Sequence, residues 1–209
     1  MSAVRILIFA KAPVAGRAKT RLIPSLGAQG AAELARRMLA HTLEQALSAG
    51  VGPVELCVTP SPADPVWQVF TAPAHATWSD QGEGDLGARM ARAARRSDGA
   101  REAVLLIGTD CPALDVPQLR LAAQSLETFD ATLVPSADGG YVLFGLKRFH
   151  ASLFTDIEWS TSTVARETLL RLRELGWRVH IYPSVHDIDE PADLQWLPQG
   201  WRKSGQEIA

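Results

Sequence analysis

The chain has only two cysteines, Cys57 and Cys111, each in or beside an apolar run. Two thiols give neither a disulfide framework nor a metal-ligand spacing, so a reduced, cytoplasmic setting is expected. Long hydrophobic runs are missing too. The first apolar stretch is broken at once by Lys11, too early for a signal sequence or a membrane span, so no membrane insertion is expected. General basicity is absent as well: 21 Lys and Arg against 23 Asp and Glu leave a net charge of -2. That argues against a nucleic-acid protein, whose domain is usually basic. One local absence says more than these. No acidic residue precedes Glu33, while Lys11, Arg17, Lys19 and Arg21 crowd the stretch "FAKAPVAGRAKTRL". In an acidic protein such a concentration of positive charge reads as a site.

What is present is ordinary globular material. A chain of 209 residues, 46% of them hydrophobic, buries roughly 70% of its unfolded surface and needs no staple. The length predicts one domain, residues 1–197, followed by a loosely held C-terminal tail, residues 198–209. Strands are expected at Val4–Ala10, Val54–Thr59, Ala103–Gly108, Ala131–Pro135, Tyr141–Leu146 and Arg178–Tyr182, several of them continuous apolar runs of the doubly buried kind. Helical spacing links Leu34, Met38, Leu39, Leu43, Ala46 and Leu47, with Gly50 as a stop. Further helices are expected over Asp85–Arg96, from Asp115 onward, over Thr163–Leu175, and as a short turn opened by Pro191. This alternation predicts an α/β fold: a three-layer sandwich with a mostly parallel, mixed sheet and helices on both faces. The mixed element is "ATLVPSADGGYVLFGL", which reads as a hairpin around an Asp-Gly-Gly tip.

Ligands of open α/β sheets sit at the carboxyl ends of strands, and four polar clusters fall there. In the opening loop, Lys11, Gly16, Arg17, Lys19 and Arg21 offer cations and a flexible turn for a di- or triphosphate, though without the spacing of a Walker loop. Two opposite charges ~4 Å apart at an effective dielectric of about 20 attract by roughly 4 kcal/mol, so two or three such contacts can dominate binding. In "LIGTDCPAL", Asp110 directly follows a buried strand and can hold a divalent metal; Asp115 is better placed for the plain capping role. Asp138, Gly139 and Gly140 are ordinary hairpin chemistry that also lets a backbone approach an acceptor. In "VHDIDEPADL", Asp187 and Asp189 precede a helix start, where acids are favourable for dipole reasons alone, and they can also complete a metal site.

A fifth stretch, "GEGDLG" from Gly82 to Gly87, matches the dinucleotide pattern G-x-G-x-x-G, with Asp110 about twenty residues on. Against it, the preceding "APAHATWSDQ" reads poorly as a buried strand, and Asp80, Glu83 and Asp85 repel a pyrophosphate. The histidines are scattered; His186, beside the acidic cluster, is the one that invites a functional test. Trp159 is placed to border a pocket.

Taken in order, "FAKAPVAGRAKTRL", "QGEGDLGARM", "LIGTDCPAL", "DGGYVLFGL", "IEWSTSTV" and "DIDEPADL" resemble the radical-SAM/selenodomain-associated transferases, a bacterial family of glycosyltransferase-A (GT-A) fold. More distantly the chain is similar to phospholactate guanylyltransferase and molybdenum-cofactor guanylyltransferase. The resemblance implies a nucleotide-diphospho-sugar-transferase-like pocket at the strand ends. It assigns Lys19 and Arg21 to phosphates, with Lys11 and Arg17 nearby, and Asp110 to the metal, shared with Asp189 or Asp187. Gln81, Gly82 and Gly84 fall near base or ribose, and Asp138, Gly139 and Gly140 on the acceptor side. Catalytic weight then rests on Asp110, Lys19 and Arg21. The implied activity is transfer of a glycosyl or nucleotidyl group, dependent on Mg2+ or Mn2+, from a nucleotide-sugar or nucleoside triphosphate donor to a small-molecule acceptor. Many metal-dependent glycosyltransferases carry Asp-x-Asp at the strand end, where this chain has Gly108 and Asp110. A non-catalytic nucleotide-binding protein on the same fold and a nicotinamide oxidoreductase are the alternatives. The transferase reading requires Lys19 and Asp110 to face each other across one cleft, a polyanion's width apart.

Overall fold

The structure is a computed structural model that describes residues 3–99 and 102–201. Along β1 (Val4–Lys11), Ile6, Ile8 and Ala10 turn into one core while Leu7 turns into another, and all four are buried. A strand covered on both faces belongs at the centre of a sheet with helices on either side. β1 accordingly pairs in parallel with β2 (Val54–Thr59) on one side and β4 (Ala103–Ile107) on the other. The seven-stranded sheet is completed by β3 (Ala76–Asp80), β5 (Ala131–Pro135), β6 (Tyr141–Leu146) and β7 (Val179–Ile181), in the order β3-β2-β1-β4-β6-β5-β7. Only β6 runs against its neighbours, pairing antiparallel with both β4 and β5. The hairpin expected around the Asp-Gly-Gly tip is the β5–β6 pair.

Helices α1 (Ile23–Ala49) and α3 (Val116–Ser125) cover one face through Leu39, Leu43, Leu119 and Ala122. Helices α2 (Leu86–Gly99) and α4 (Val164–Glu174) cover the other through Met90, Ala93, Ala94 and Leu172. The predicted three-layer α/β sandwich is thus the observed architecture. The starts follow local chemistry: the Asp115 carboxylate accepts from the Gln118 amide, and the Asp85 carboxylate accepts from the Ala88 amide.

One strand is missing from the expected set. The segment before the glycine loop, which reads poorly as a buried strand, forms the largely unburied β3 at the border of the sheet. An edge strand needs one hydrogen-bonding neighbour and little apolar surface, and here only Ala76 is buried outright. Its Ser79 hydroxyl donates to Glu55 at 2.6 Å, and Arg96 of α2 reaches the same carboxylate at 2.5 Å. A nearly buried acid in mid-strand is therefore paired, and it ties α2 to the sheet. Of the expected tail, residues 202–209 lie outside the described residues; Trp201 packs edge-on against His41, with Arg37 4.3 Å above its ring.

Candidate active site

A small third core decides where the functional side chains meet. Leu22, just after the basic loop, and Ile188, between Asp187 and Asp189, are both fully buried in it, with Ala31, Leu34, Met38 and Leu197. The Ile188 amide also donates to the Asp110 carbonyl at 2.8 Å, which joins the same segment to the end of β4. Three stretches far apart in sequence are clamped together by ordinary apolar burial plus one backbone hydrogen bond.

Lys19 stands at the junction. Its ammonium lies 2.8 Å from Asp110 Oδ1, 2.6 Å from Asp189 Oδ1 and 2.6 Å from the Ile188 carbonyl. All three N–H donors are therefore engaged, and the side chain is only 8% exposed. Burial works against the ammonium, but the Asp110 and Asp189 carboxylates outweigh it and hold its pKa above the ordinary value. Lys19 and Asp110 do face each other, but in contact rather than a polyanion's width apart. The positive charge that looks uncompensated in the sequence is here neutralised by acids from the middle and the far end of the chain.

Asp110 and Asp187 flank a cavity of about 250 Å³ at the ends of β1, β4 and β6. Phe9, Leu86, Met90, Leu106, Tyr141 and Val142 supply its apolar wall. The Asp187 carboxyl is pushed up to about 6, by burial first and then by the charge of Asp138, with Asp189 and Asp110 adding to it. Cys111 also lines the cavity, but burial pushes its thiol up to about 11, so it stays protonated and is no nucleophile.

The remaining expected residues divide into three groups. Lys11 and Arg17 are exposed and make no ion pair among the described residues, while Arg21 meets Glu190 at 3.7 Å on the rim. Gly16 sits at the loop's turn with φ 77. Asp138 accepts from the Ser136 hydroxyl and from the Gly140 amide at 2.9 Å. Its hairpin tip is locked by the Ala165 amide donating to the Gly139 carbonyl at 3.0 Å. Gln81 is buried, and its side-chain amide donates to the carbonyls of Ala10 and Cys57, stapling the ends of β1 and β2. The backbone of the Gly82–Gly84 loop is held by Arg89 on the Gly84 carbonyl and Arg92 on the Gln81 and Glu83 carbonyls. None of that loop touches Lys19 or Asp110 in a hydrogen bond. His186 stacks flat on Trp196, centroids 3.9 Å apart, and Trp159 packs over Gly87 instead of lining the cavity. The apolar wall carries no signature in the sequence: Phe9 lies on β1 and Met90 on α2, and the fold brings both to the cavity that Asp110 borders.

The donor set suits a hard divalent cation. Asp110, Asp187 and Asp189 offer carboxylate oxygens only, and Mg2+ commonly takes one or two carboxylates, waters and substrate phosphate oxygens. Among the described residues no three acidic, His or Cys side chains form a preassembled cage. A two-carboxylate site completed by a nucleotide's phosphates needs none.

Residues 42–161 match the model of a family described as an uncharacterized protein conserved in bacteria, DUF2064. The chain belongs to this family. A candidate nucleotide-diphospho-sugar transferase from Desulfovibrio desulfuricans G20 is 30% identical, with a TM-score of 0.87 over 98% of this chain and 90% of that one. Two more distant solved structures share the fold. One is the manganese complex of Rv0371c from Mycobacterium tuberculosis H37Rv, at 15% identity and TM-score 0.55 over 94% of this chain and 98% of that one. The other is 2-C-methyl-D-erythritol 4-phosphate cytidylyltransferase from Thermus thermophilus, at 18% identity and TM-score 0.54 over 93% and 96%. No curated protein matches the chain. No helix among the described residues is long and apolar enough to cross a membrane.

Proposed function

We propose that this DUF2064 protein is a Mg2+- or Mn2+-dependent transferase that takes a nucleotide-activated donor. The observation that carries the reading is the convergence of Lys19, Asp110 and Asp189 at the strand ends, beside a loop with free cations. Lys11, Arg17 and Arg21 bind the donor's phosphates, and Lys19 holds the Asp110 and Asp189 carboxylates together through contacts of 2.8 and 2.6 Å. When bound to Asp110 and Asp189, the metal offsets negative charge on the phosphate oxygens of the donor. Asp187, pushed up to about 6, is ionised at neutral pH and takes the proton of an acceptor hydroxyl.

In the nucleotidyl version the acceptor oxygen attacks the α-phosphorus. A new P–O bond forms, the bond to the bridging oxygen breaks, and pyrophosphate leaves with the electron pair. The distant resemblance to guanylyltransferases and the fold shared with the cytidylyltransferase support this version. In the glycosyl version the acceptor attacks the sugar's C1 and a nucleoside diphosphate leaves. The name of the 30% identical relative favours that one. The decisive assay supplies nucleoside triphosphates and nucleotide sugars, each with and without Mg2+, and identifies the leaving group. Pyrophosphate release supports the first version and nucleoside diphosphate release the second. Binding without turnover supports a nucleotide sensor.

Local chemistry disfavours a nicotinamide cofactor at the glycine loop. The Gly82 amide is taken by Asp80 at 2.8 Å and the Ala88 amide by Asp85 at 2.8 Å. Donors that could cradle a pyrophosphate are occupied by carboxylates that repel it.

A further inference from the structure

The cavity beside Asp110 has a chemical character that the transferase reading does not specify. Its lining contains two charged side chains, Asp110 and Asp187, and neither lysine, arginine nor histidine. Lys19, in contact with Asp110, is spent on Asp110, Asp189 and the Ile188 carbonyl. Asp187 makes no ion pair among the described residues; its own backbone amide supports it, and the side-chain charges of Asp138, Asp189 and Asp110 all act against its ionisation. Opposite the carboxylates the wall is aromatic and aliphatic: Phe9, Leu86, Met90, Leu106, Tyr141 and Val142. At about 250 Å³ the space lies below the roughly 300–1,000 Å³ of sites for drug-sized ligands, so it admits one ring or a short chain and not a nucleotide.

From these features we infer that the cavity is the acceptor subsite and takes a non-anionic molecule: an apolar body bearing a hydroxyl or amino group, without phosphate or carboxylate. The metal proposed on Asp110 and Asp189 would be engaged by the donor's phosphates, so a phosphorylated acceptor would bring its charge to Asp187 with no side-chain cation in the lining to receive it. An amine or hydroxyl would give Asp187 a donor beyond its own backbone amide, while the body displaces water from the apolar wall. The word "acceptor" rests on the transferase reading; the site and its charge preference do not.

Met90 makes the test direct. The chain has three methionines, Met1, Met38 and Met90; Met90 lines the cavity, and Met38 packs in the small third core. Methyl-13C-methionine protein is titrated, without metal or nucleotide, with benzyl alcohol, benzylamine and benzyl phosphate, which share one body. The Met90 methyl signal is expected to shift with the alcohol and the amine and not with the phosphate. Asp187→Asn is expected to weaken the amine about tenfold while leaving the alcohol within about twofold. A Cβ at Gly108 meets nothing within 4 Å, so Gly108→Leu has room in the cavity mouth and is expected to abolish both shifts in a folded protein. A benzyl phosphate shift at equal or lower concentration would overturn the inference. So would a Met90 signal unmoved by all three probes, or one that still moves in Gly108→Leu. Because no nucleotide is present, failure here is distinguishable from failure of the transferase assay.

Discussion

Lys19 spends its charge inside the protein. With one side chain it holds two acids and a carbonyl that would otherwise face one another. Removing a buried partner costs about 3–5 kcal/mol when both ions are deep; Asp110 and Asp189 are 44% and 40% exposed, which lowers the expectation to about 1–3 kcal/mol. Lys19→Met should therefore lower the melting temperature by several degrees, measured by calorimetry at low salt. An unchanged value would show that the triad is slack. Asp187 makes a prediction of opposite sign. Its carboxyl is pushed up to about 6 from an ordinary 3.8, so it favours the fold fully only below about pH 4. That contribution fades as pH rises toward 6, and at pH 7.5 the ionised group opposes folding. Asp187→Asn should be more stable than the parent by about 1–2 kcal/mol at pH 7.5, the difference vanishing near pH 4. Urea melts at the two pH values decide it.

The hairpin tip shows how an element is fixed from outside itself. Gly139 adopts φ 94, and a Cβ there would stand 2.1 Å from the Ser162 carbonyl oxygen. Neither fact is visible in "SADGGY", which reads as a common turn. Gly139→Ala combines positive-φ strain with a backbone clash, each about 1–3 kcal/mol. A loss of about 2–4 kcal/mol in chemical denaturation is expected, and a loss under about 1 kcal/mol would mean the loop around Ser162 gives way. The apolar runs made β1, β2, β4, β5 and β6 legible because strands buried on a face must be apolar there. β3 escaped because an edge strand answers to one neighbour and carries Thr77, Ser79 and Asp80 at little cost. The start of α1 escaped too: Leu22, just before the helix, and Ala31, after the non-helical Gly27 at φ 69, pack into a small core that no periodicity announces.

Taken as a whole, the molecule draws its candidate site from residues 19, 110 and 189, which only the assembled sheet brings into contact. Composition could nominate each of them, since Asp110 ends a buried strand and Lys19 lies in a loop without acids. It could not tell that Lys19 is already paired, because its partners lie 91 and 170 residues away. The free phosphate-binding charge is therefore expected at Lys11 and Arg17. The double variant Lys11→Ala, Arg17→Ala should weaken a nucleoside triphosphate by about 10-fold or more while leaving the nucleoside within about twofold, as read by titration calorimetry. Equal losses for both would remove the loop from phosphate binding.

The account stands on Asp110 as the residue through which metal and nucleotide act together. Thermal melting of wild type and Asp110→Asn, with nucleoside triphosphates and nucleotide sugars in the presence and absence of Mg2+, tests that most directly. At about 100 times Kd a ligand adds about 2.7 kcal/mol, or roughly 5–10 °C for a chain of this size. Wild type should gain that only with nucleotide and metal together, and Asp110→Asn should lose the metal-dependent part while folding normally. A full metal-dependent gain in Asp110→Asn, or none with any nucleotide in wild type, would contradict the account.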